Sequence, residues 1–154
     1  MAKAYYSTIF AQPADAVWSV IRDFNNYPVW VDGAGESVIE DGKSGDAVGA
    51  VRDVLYNGAR RRQRLLALSD VDRTQTYEFA GAAPLPVRHF QATLRVTPVV
   101  DGDRAFVEWF ATFDCAAEDL DVRIGFFRDA FGGWLESLRR TLTKAQSAAG
   151  RTTA

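Results

Sequence analysis

The sequence predicts an α+β fold in which a curved, seven-stranded antiparallel sheet wraps around a long C-terminal helix, with two short helices after the first strand. Apolar and polar residues alternate through most of residues 36–115, as is typical of strands. Apolar residues recur at intervals of three and four over residues 120–149, which indicates one long amphipathic helix. A helix of that length can cross the concave face of such a sheet.

The first elements lie before residue 31. Residues 4–10 are rich in Tyr, Thr, Ile and Phe, which favours a strand. Pro13 then suits the first turn of a helix. Four apolar residues follow at helical spacing: Val17, Trp18, Ile21 and Phe24. Because the residue before a proline avoids the helical region, we expect this helix to end near residues 25–26 and a turn or second short helix to begin at Tyr27-Pro28.

Turn signals such as Asn57-Gly58 and Asp101-Gly102 divide the next segment into six strands. The predicted strands span residues 36–40, 47–56, 61–69, 74–80, 88–99 and 104–115. In the long helix, Gly132-Gly133 costs about 1 kcal/mol per glycine relative to alanine, so we expect a bend or close packing there. We expect residues 1–149 to form a single domain and residues 150–154 to form a disordered tail.

Composition excludes several classes of protein. With 154 residues, 47% of them apolar and 25% charged, and a net charge of −2, the chain has the composition of a soluble globular domain. A pI near 5.4 argues against nucleic acid or an anionic membrane as the main partner. Cys115 is the single cysteine, which precludes an intrachain disulfide. No signal-peptide pattern or apolar run of eighteen residues occurs, so we expect a cytoplasmic protein without stable membrane insertion. The oligomeric state is not indicated.

Several short segments carry a resemblance to a known family. They are residues 12–18 (QPADAVW), 23–30 (DFNNYPVW), 51–54 (VRDV), 64–65 (RL) and 84–87 (PLPV). In this order, across almost the full length, they resemble the START-like, Bet v 1-like (SRPBCC) superfamily, in particular its bacterial polyketide cyclase/dehydrase and lipid-transport group. The resemblance implies a helix-grip fold whose cavity, between the sheet and the C-terminal helix, binds a small hydrophobic or amphipathic molecule.

Three functions stay open on this basis. The first is a carrier or sensor of a lipid-like or polyketide-like ligand, and the second is a cyclase, aromatase or dehydratase acting on such a ligand. The third is an interaction module whose cavity is filled by its own aromatic side chains. No metal-ligand spacing, G-x-S-x-G motif or glycine-rich phosphate motif occurs, so we expect no metal and no cofactor. No catalytic residue is assigned, and the side chains that could assist enolisation or dehydration in a cyclase are Arg52, Tyr56, Tyr77 and His89.

Strand alternation predicts which side chains face the helix. On the last strand, Val107, Trp109, Ala111 and Phe113 share one face, and Phe90 lies on the inward face of the strand before it. Together with the resemblance, alternation and helical spacing give the candidate ligand-binding residues Arg52, Val54, Tyr56, Tyr77, Phe79, Pro86, His89, Phe90, Trp109, Phe113, Phe127 and Phe131. The aromatic members are also bulky enough to form an ordinary core, and sequence alone does not separate the two interpretations.

Arg52 is the charged member of this set. Alternation places it on the same face as Val48, Ala50, Val54 and Tyr56, and therefore turns its guanidinium inward. An isolated buried charge is costly, so a carboxylate, a carbonyl or a ligand oxygen is expected opposite it. The alternatives are an internal ion pair or a register shifted by one residue, which would return Arg52 to solvent.

The segment at residues 80–90 (AGAAPLPVRHF) combines small residues, two prolines and the only histidine. In the abscisic acid receptors of the resembled superfamily the corresponding loop is a latch over the ligand, so we expect this loop to gate the cavity mouth. Strict alternation from Phe90 sends His89 outward unless a bulge redirects it, and a half-exposed surface histidine is the alternative.

Arg60, Arg61, Arg62 and Arg64 form the basic cluster of the chain. Because side chains alternate along a strand, only half of them can share a face. A solvated hairpin end that discourages edge association is one interpretation, and a docking site for an acidic partner or anionic lipid is the other.

Overall fold

A computed structural model describes residues 1–152 of the chain. Its strands are β1 (Ala2–Phe10), β2 (Ala34–Ile39), β3 (Val51–Tyr56), β4 (Ala59–Ser69), β5 (Thr74–Phe79), β6 (Arg88–Val99) and β7 (Arg104–Asp114). Its helices are α1 (Ala14–Ile21), α2 (Tyr27–Trp30) and α3 (Leu120–Thr152), with short 3₁₀ turns at Glu40–Gly42 and Ala117–Asp119. The predicted α+β architecture is confirmed.

All seven strands form one antiparallel sheet in the order β1-β7-β6-β5-β4-β3-β2. Every consecutive pair from β2 to β7 is adjacent, and β1 closes the order by pairing with β7. The turn between β3 and β4 has Asn57 at φ 48° and Gly58 at φ 82°, the positive values that a two-residue hairpin turn requires. This turn fixes the register in which Arg52 lies opposite Gln63.

Alternation along β7 is strict, and it supplies much of the core. Val107, Trp109, Ala111 and Phe113 are fully buried, whereas the residues between them are partly exposed. Phe90, Ala92, Leu94 and Val96 of β6 are buried on the same face. The prediction from strand parity is therefore confirmed for both strands.

Helix α3 crosses the concave face and is continuous over 33 residues. Its buried side chains recur at intervals of three and four: Phe127, Phe131, Leu135, Leu138 and Leu142. A Cβ atom at Gly132 would lie 3.0 Å from Cε2 of Tyr6 on β1. Gly132 thus marks close packing between helix and sheet, and the helix does not break there.

Some predicted boundaries were wrong. β3 begins at Val51 and not at residue 47, because Gly49 adopts φ 90° and residues 43–50 form a loop in which Val48 is 60% exposed. α1 ends at Ile21, and Phe24 lies in the following turn, where its N–H donates to Gly45 O.

The C-terminal helix is longer than expected. We predicted its end at residue 149 and a disordered tail over residues 150–154. Residues 150–152 are helical, and residues 153 and 154 lie outside the described part of the chain.

Candidate ligand-binding site

A cavity of about 480 Å³ lies between the sheet and the N-terminal half of α3. Its apolar lining consists of Val31, Val54, Phe79, Pro84, Leu85, Phe126, Phe127, Ala130 and Trp134. Its polar lining consists of Tyr27, Tyr56, Asn57, Arg61, Gln63 and Asp129. Sites for small organic molecules have volumes of roughly 300–1,000 Å³ and a mostly apolar lining with a few polar groups, so this cavity is of that kind.

The sheet wall comes from the β3–β4 hairpin. Val54 and Tyr56 point inward from β3, and Arg61 and Gln63 point inward from β4, where Arg61 pairs with Val54. Inward residues of adjacent strands lie opposite one another, so the hairpin places the polar side chains of Arg61 and Gln63 beside Val54 and Tyr56 of β3.

The helix wall is held away from the sheet at this end by an aromatic pair. The Nε1–H group of Trp134 on α3 donates to the Tyr56 hydroxyl at 2.9 Å, and the two rings meet edge to face at 5.6 Å. Phe126, Phe127 and Ala130 complete the wall towards the start of the helix. The Trp134–Tyr56 contact therefore closes one end of the cavity.

The loop between β5 and β6 forms the remaining wall. Pro84 and Leu85 line the cavity, and the loop is anchored at its start by a hydrogen bond from Ala80 N–H to Arg62 O. Pro86, which we had named as a candidate contact, lies outside the lining. Gating by this loop stays a prediction.

The inward face beyond the cavity is filled by aromatic side chains. The Trp109 and Phe131 rings stack at 4.9 Å, and Trp109 Nε1–H donates to the Tyr77 hydroxyl at 3.2 Å. Burial raises the pKa of Tyr77 well above its usual value, so this hydroxyl is neutral. Phe90 and Phe113 pack in the same cluster around Phe127.

The twelve candidate residues are thus divided by position. Val54, Tyr56, Phe79 and Phe127 line the cavity, whereas Tyr77, Phe90, Trp109, Phe113 and Phe131 lie in the buried core next to it. Arg52 is buried behind the lining, and Pro86 and His89 lie outside it.

Sequence reasoning missed five polar residues of the lining, Tyr27, Asn57, Arg61, Gln63 and Asp129, and a sequence signal existed for two of them. Arg61 and Gln63 lie on the inward face of β4, opposite Val54 and Arg52. The signal for them was present, because the Asn57-Gly58 turn fixes the hairpin register and inward Arg52 then requires inward Gln63. No comparable sequence signal indicated that α2 and Trp134 contribute to the lining of the cavity.

Arg52 is fully buried, as alternation predicted, and its partners are neutral. Its Nε–H donates to Gln63 Oε1 at 2.7 Å and its Nη1–H donates to Phe24 O at 2.9 Å. The guanidinium lies 3.8 Å from the Phe24 ring centre and 3.5 Å from that of Tyr27. Within residues 1–152, Nη2 has no hydrogen-bond partner and no carboxylate pairs with Arg52. Burial accordingly lowers the pKa of Arg52.

His89 occupies a bulge that leaves it on the surface. The β6–β7 register shifts between Arg88 and Gln91, and His89 adopts φ 52°. Its side chain is 75% exposed and its Nδ1 lies 2.9 Å from Asp114 Oδ2, a contact that lowers the pKa of the Asp114 carboxyl. His89 lines a separate open cavity of about 400 Å³ on the other side of the loop. A bulge is present at His89, but it does not direct the side chain into the first cavity, so the surface position given as the alternative holds.

The basic cluster divides between the two faces of β4. Three arginines have carboxylate partners outside the cavity: Arg60 with Glu36 and Asp53, Arg62 with Glu40, and Arg64 with Glu78. Arg61 lines the cavity, and in the described chain no carboxylate lies within 4.0 Å of it. The charge of Arg61 is therefore available at the edge of the cavity.

Residues 1–152 contain no group of three or more His, Cys, Asp or Glu side chains placed to hold a metal ion. None of their helices combines the length and the apolar character needed to cross a membrane.

A curved antiparallel sheet around a long helix, with a lined cavity between them, defines a helix-grip protein of the Bet v 1-like class. The chain belongs to the polyketide cyclase / dehydrase and lipid transport family, whose model matches residues 1–149. A search of curated protein sequences found no match.

Several solved structures resemble this chain over almost its whole length. XoxI from Bacillus cereus is 25% identical with a TM-score of 0.82, covering 95% of this chain and 99% of XoxI. A protein from Nitrosospira multiformis is 25% identical with a TM-score of 0.78, covering 94% and 99% of the two chains. Norcoclaurine synthase from Thalictrum flavum, solved as a point mutant with a transition-state analogue, is 14% identical with a TM-score of 0.73, covering 94% and 95%. The last likeness shows the fold alone.

Proposed function

We propose that the protein binds a small hydrophobic or amphipathic molecule, lipid-like or polyketide-like, in the cavity and acts as its carrier or sensor. The observation that carries this proposal is the 480 Å³ cavity with its largely apolar wall. Burial of apolar ligand surface against side chains such as Phe79 and Leu85 would contribute roughly 25 cal/mol per Å². A pocket of this size can therefore hold a ligand with useful affinity.

An interaction module without a ligand accounts for only part of the inward face. Trp109 and Phe131 fill the space over β7, as that alternative requires. The same helix leaves a cavity over β3 and β4, although large side chains such as Trp134 and Phe126 are available beside it. Binding of a ligand explains that space.

Catalysis on the bound ligand is the second candidate, because two tyrosines, Tyr27 and Tyr56, line the cavity. The Tyr56 hydroxyl accepts from Trp134 and keeps its own hydrogen for a ligand oxygen. The Tyr27 hydroxyl is buried beside Arg52 and Tyr77 and makes no well-formed hydrogen bond among the described residues. Such donors can polarise a ligand carbonyl and assist enolisation in a cyclase, aromatase or dehydratase.

Binding is the better supported of the two, because the lining lacks a sheltered base. Its carboxylate, Asp129, is exposed at the rim, and His89 lies outside the cavity. Incubation with a short poly-β-ketone tests catalysis directly. A carrier leaves the rate of cyclisation at that of buffer, whereas an enzyme accelerates it and loses rate in Tyr56→Phe.

The binding proposal is tested by filling the cavity. Ala130 lines it from α3, so Ala130→Trp should occupy the space that an apolar ligand needs. We expect saturable fluorescence titration with the neutral dye Nile red in the wild type and at least roughly tenfold weaker binding in Ala130→Trp. Ala145→Trp, at an exposed position of the same helix, is the matched control.

Circular dichroism of each variant checks that the fold is intact. Native mass spectrometry of the wild type, purified without added ligand, then looks for a retained small molecule. Equal dye affinity in Ala130→Trp and the wild type would contradict binding in this cavity.

A further inference from the structure

We infer that the ligand carries an oxyanion head group, a carboxylate or phosphate, which Arg61 binds at the edge of the cavity while the apolar part of the ligand lies against Phe79, Leu85 and Phe126. This inference rests on the proposed function, because it assigns the ligand class and the orientation for the same cavity. Four observations carry it.

The first is the contrast between Arg61 and its neighbours. Arg60, Arg62 and Arg64 each have a carboxylate within 4.0 Å, whereas in the described chain Arg61 has none. Arg61 donates one hydrogen bond, from Nη1 to Arg60 O at 3.2 Å. A guanidinium has five N–H donors in a planar fork that matches carboxylate and phosphate oxygens, so Arg61 retains donors for a ligand.

The second is a further donor on the same strand face. Arg61 and Gln63 are two residues apart on β4, so their side chains leave the strand roughly 6.6 Å apart and on one side. An oxyanion between them can accept from both.

The third observation fixes the orientation of that amide. The Nε–H group of Arg52 can donate only to an oxygen, and it lies 2.7 Å from Gln63 Oε1. The amide nitrogen of Gln63 is therefore the end that is free to donate to a ligand in the cavity. Arg52 is held by Phe24 O and by the rings of Phe24 and Tyr27. It acts as a positioning residue, since it sets the direction of Gln63 from behind the lining.

The fourth observation is the distribution of charge around the cavity. The carboxylate of Asp129 lines the helix side and is paired with Arg128 at 3.9 Å. The donors Arg61, Gln63 and Asn57 lie on the opposite, sheet side. An anionic head group is thus directed to the sheet and away from α3, which leaves its apolar chain to the wall formed by the helix and the loop.

The test compares three ligands that share a ten-carbon chain. Decanoate, decyl phosphate and decanol are titrated against bound Nile red with the wild type, Arg61→Gln and the exposed control Arg60→Gln. We expect the wild type to favour an anion over decanol by about tenfold and Arg61→Gln to lose that preference. Decanol and dye affinities should stay unchanged in Arg61→Gln, and Arg60→Gln should resemble the wild type. The stronger of the two anions identifies the head group.

Asp129→Asn should change the affinity for anions in the opposite direction to Arg61→Gln. Removal of that carboxylate should strengthen binding of both anions and leave decanol unaffected. Gln63→Met and Arg52→Met should each weaken anion binding, and the double variant should be no weaker than Gln63→Met alone, because Arg52 acts through Gln63.

The outcomes distinguish failure of the inference about the head group from failure of the proposed ligand binding. Failure of the dye and of all three ligands to bind the wild type would contradict the proposed function. Dye binding with equal affinities for decanoate, decyl phosphate and decanol would overturn this inference alone. An equal loss for the anions and decanol in folded Arg61→Gln would also overturn it.

Discussion

The two halves of the concave face have similar side chains and different packing. Over β7, Trp109 stacks on Phe131 at 4.9 Å, and Gly132 allows the helix to approach Tyr6 closely. Over β3 and β4, the Trp134–Tyr56 pair spans the gap and a cavity of about 480 Å³ remains beside it. We call these the closed half and the open half. The comparison teaches that the distance between helix and sheet, rather than the size or apolar character of the side chains, separates core from cavity.

The largest expected effect uses one tryptophan from each half. Trp109→Ala in the closed half should lower the free energy of unfolding by about 3–5 kcal/mol, because it leaves a void in a fully packed cluster. Trp134→Ala in the open half should lower it by less than about 2 kcal/mol, because that side chain already borders a cavity. Urea denaturation followed by circular dichroism measures both, and equal losses would erase the distinction between the halves.

The next largest effect on stability is expected at two adjacent glycines of α3, Gly132 and Gly133. A Cβ at Gly132 would meet the Tyr6 ring at 3.0 Å, whereas a Cβ at Gly133 would meet nothing within 4 Å. Gly133→Ala should raise stability by up to about 1 kcal/mol through helix propensity. Gly132→Ala should lower it by about 1–2 kcal/mol, because overpacking outweighs the same gain. Thermal unfolding compares the two, and stabilisation by both would show that the closed half is not tightly packed at Tyr6.

Sequence patterns predicted the closed half better than the open half. Strict alternation along β7 indicated the buried positions of Trp109 and Phe113, because burial against a helix requires only an apolar face. The cavity depends on how far the helix stands from β3 and β4, which no local pattern encodes. Arg52 was correctly turned inward, but its partners, Gln63 and Phe24 O, follow from tertiary contacts. Arg61 and Gln63 were missed, because arginine and glutamine side chains on a strand ordinarily face solvent.

A smaller effect, on ligand affinity, is expected from the loop between β5 and β6 in the open half. Pro84 and Leu85 line the cavity, so a bound ligand contacts the loop and should slow its hydrogen exchange over residues 80–88. The double variant Pro84→Gly with Pro86→Gly should weaken the affinity for Nile red by a few-fold, because the loop backbone becomes less restricted and closes over the ligand less readily. The fold should stay intact. Exchange measured by mass spectrometry with and without Nile red tests this. Identical exchange in both states would leave the prolines as turn residues without a gating role.

The smallest effect concerns His89, on the surface beyond the closed half. His89→Gln should leave the affinity for Nile red unchanged between pH 5.5 and 7.5, because the side chain is exposed and outside the cavity. The same variant should raise the pKa of Asp114, whose carboxyl is now held below its ordinary value by His89. A lowered carboxyl pKa stabilises the fold above the ordinary value and ceases to do so as the pH falls. NMR titration of Asp114 measures the shift, and a pH-dependent affinity that His89→Gln abolishes would place His89 at the ligand.

Gly132 packs closely on Tyr6, so any tilt of the first part of α3 would pivot at this contact in the closed half. Phe126 lies six residues before Gly132, or about 9 Å along the axis, so a rotation of about 10° moves it by about 1.6 Å. A tilt of that size would change the width of the cavity between the helix and the sheet. A small tilt of the helix would then fit the cavity to ligands of different thickness, without any change of side-chain rotamer. Arg61 and Gln63 belong to the sheet and would not move with the helix. The protein would therefore tolerate variation in the thickness of a ligand far better than variation in the position of its charge.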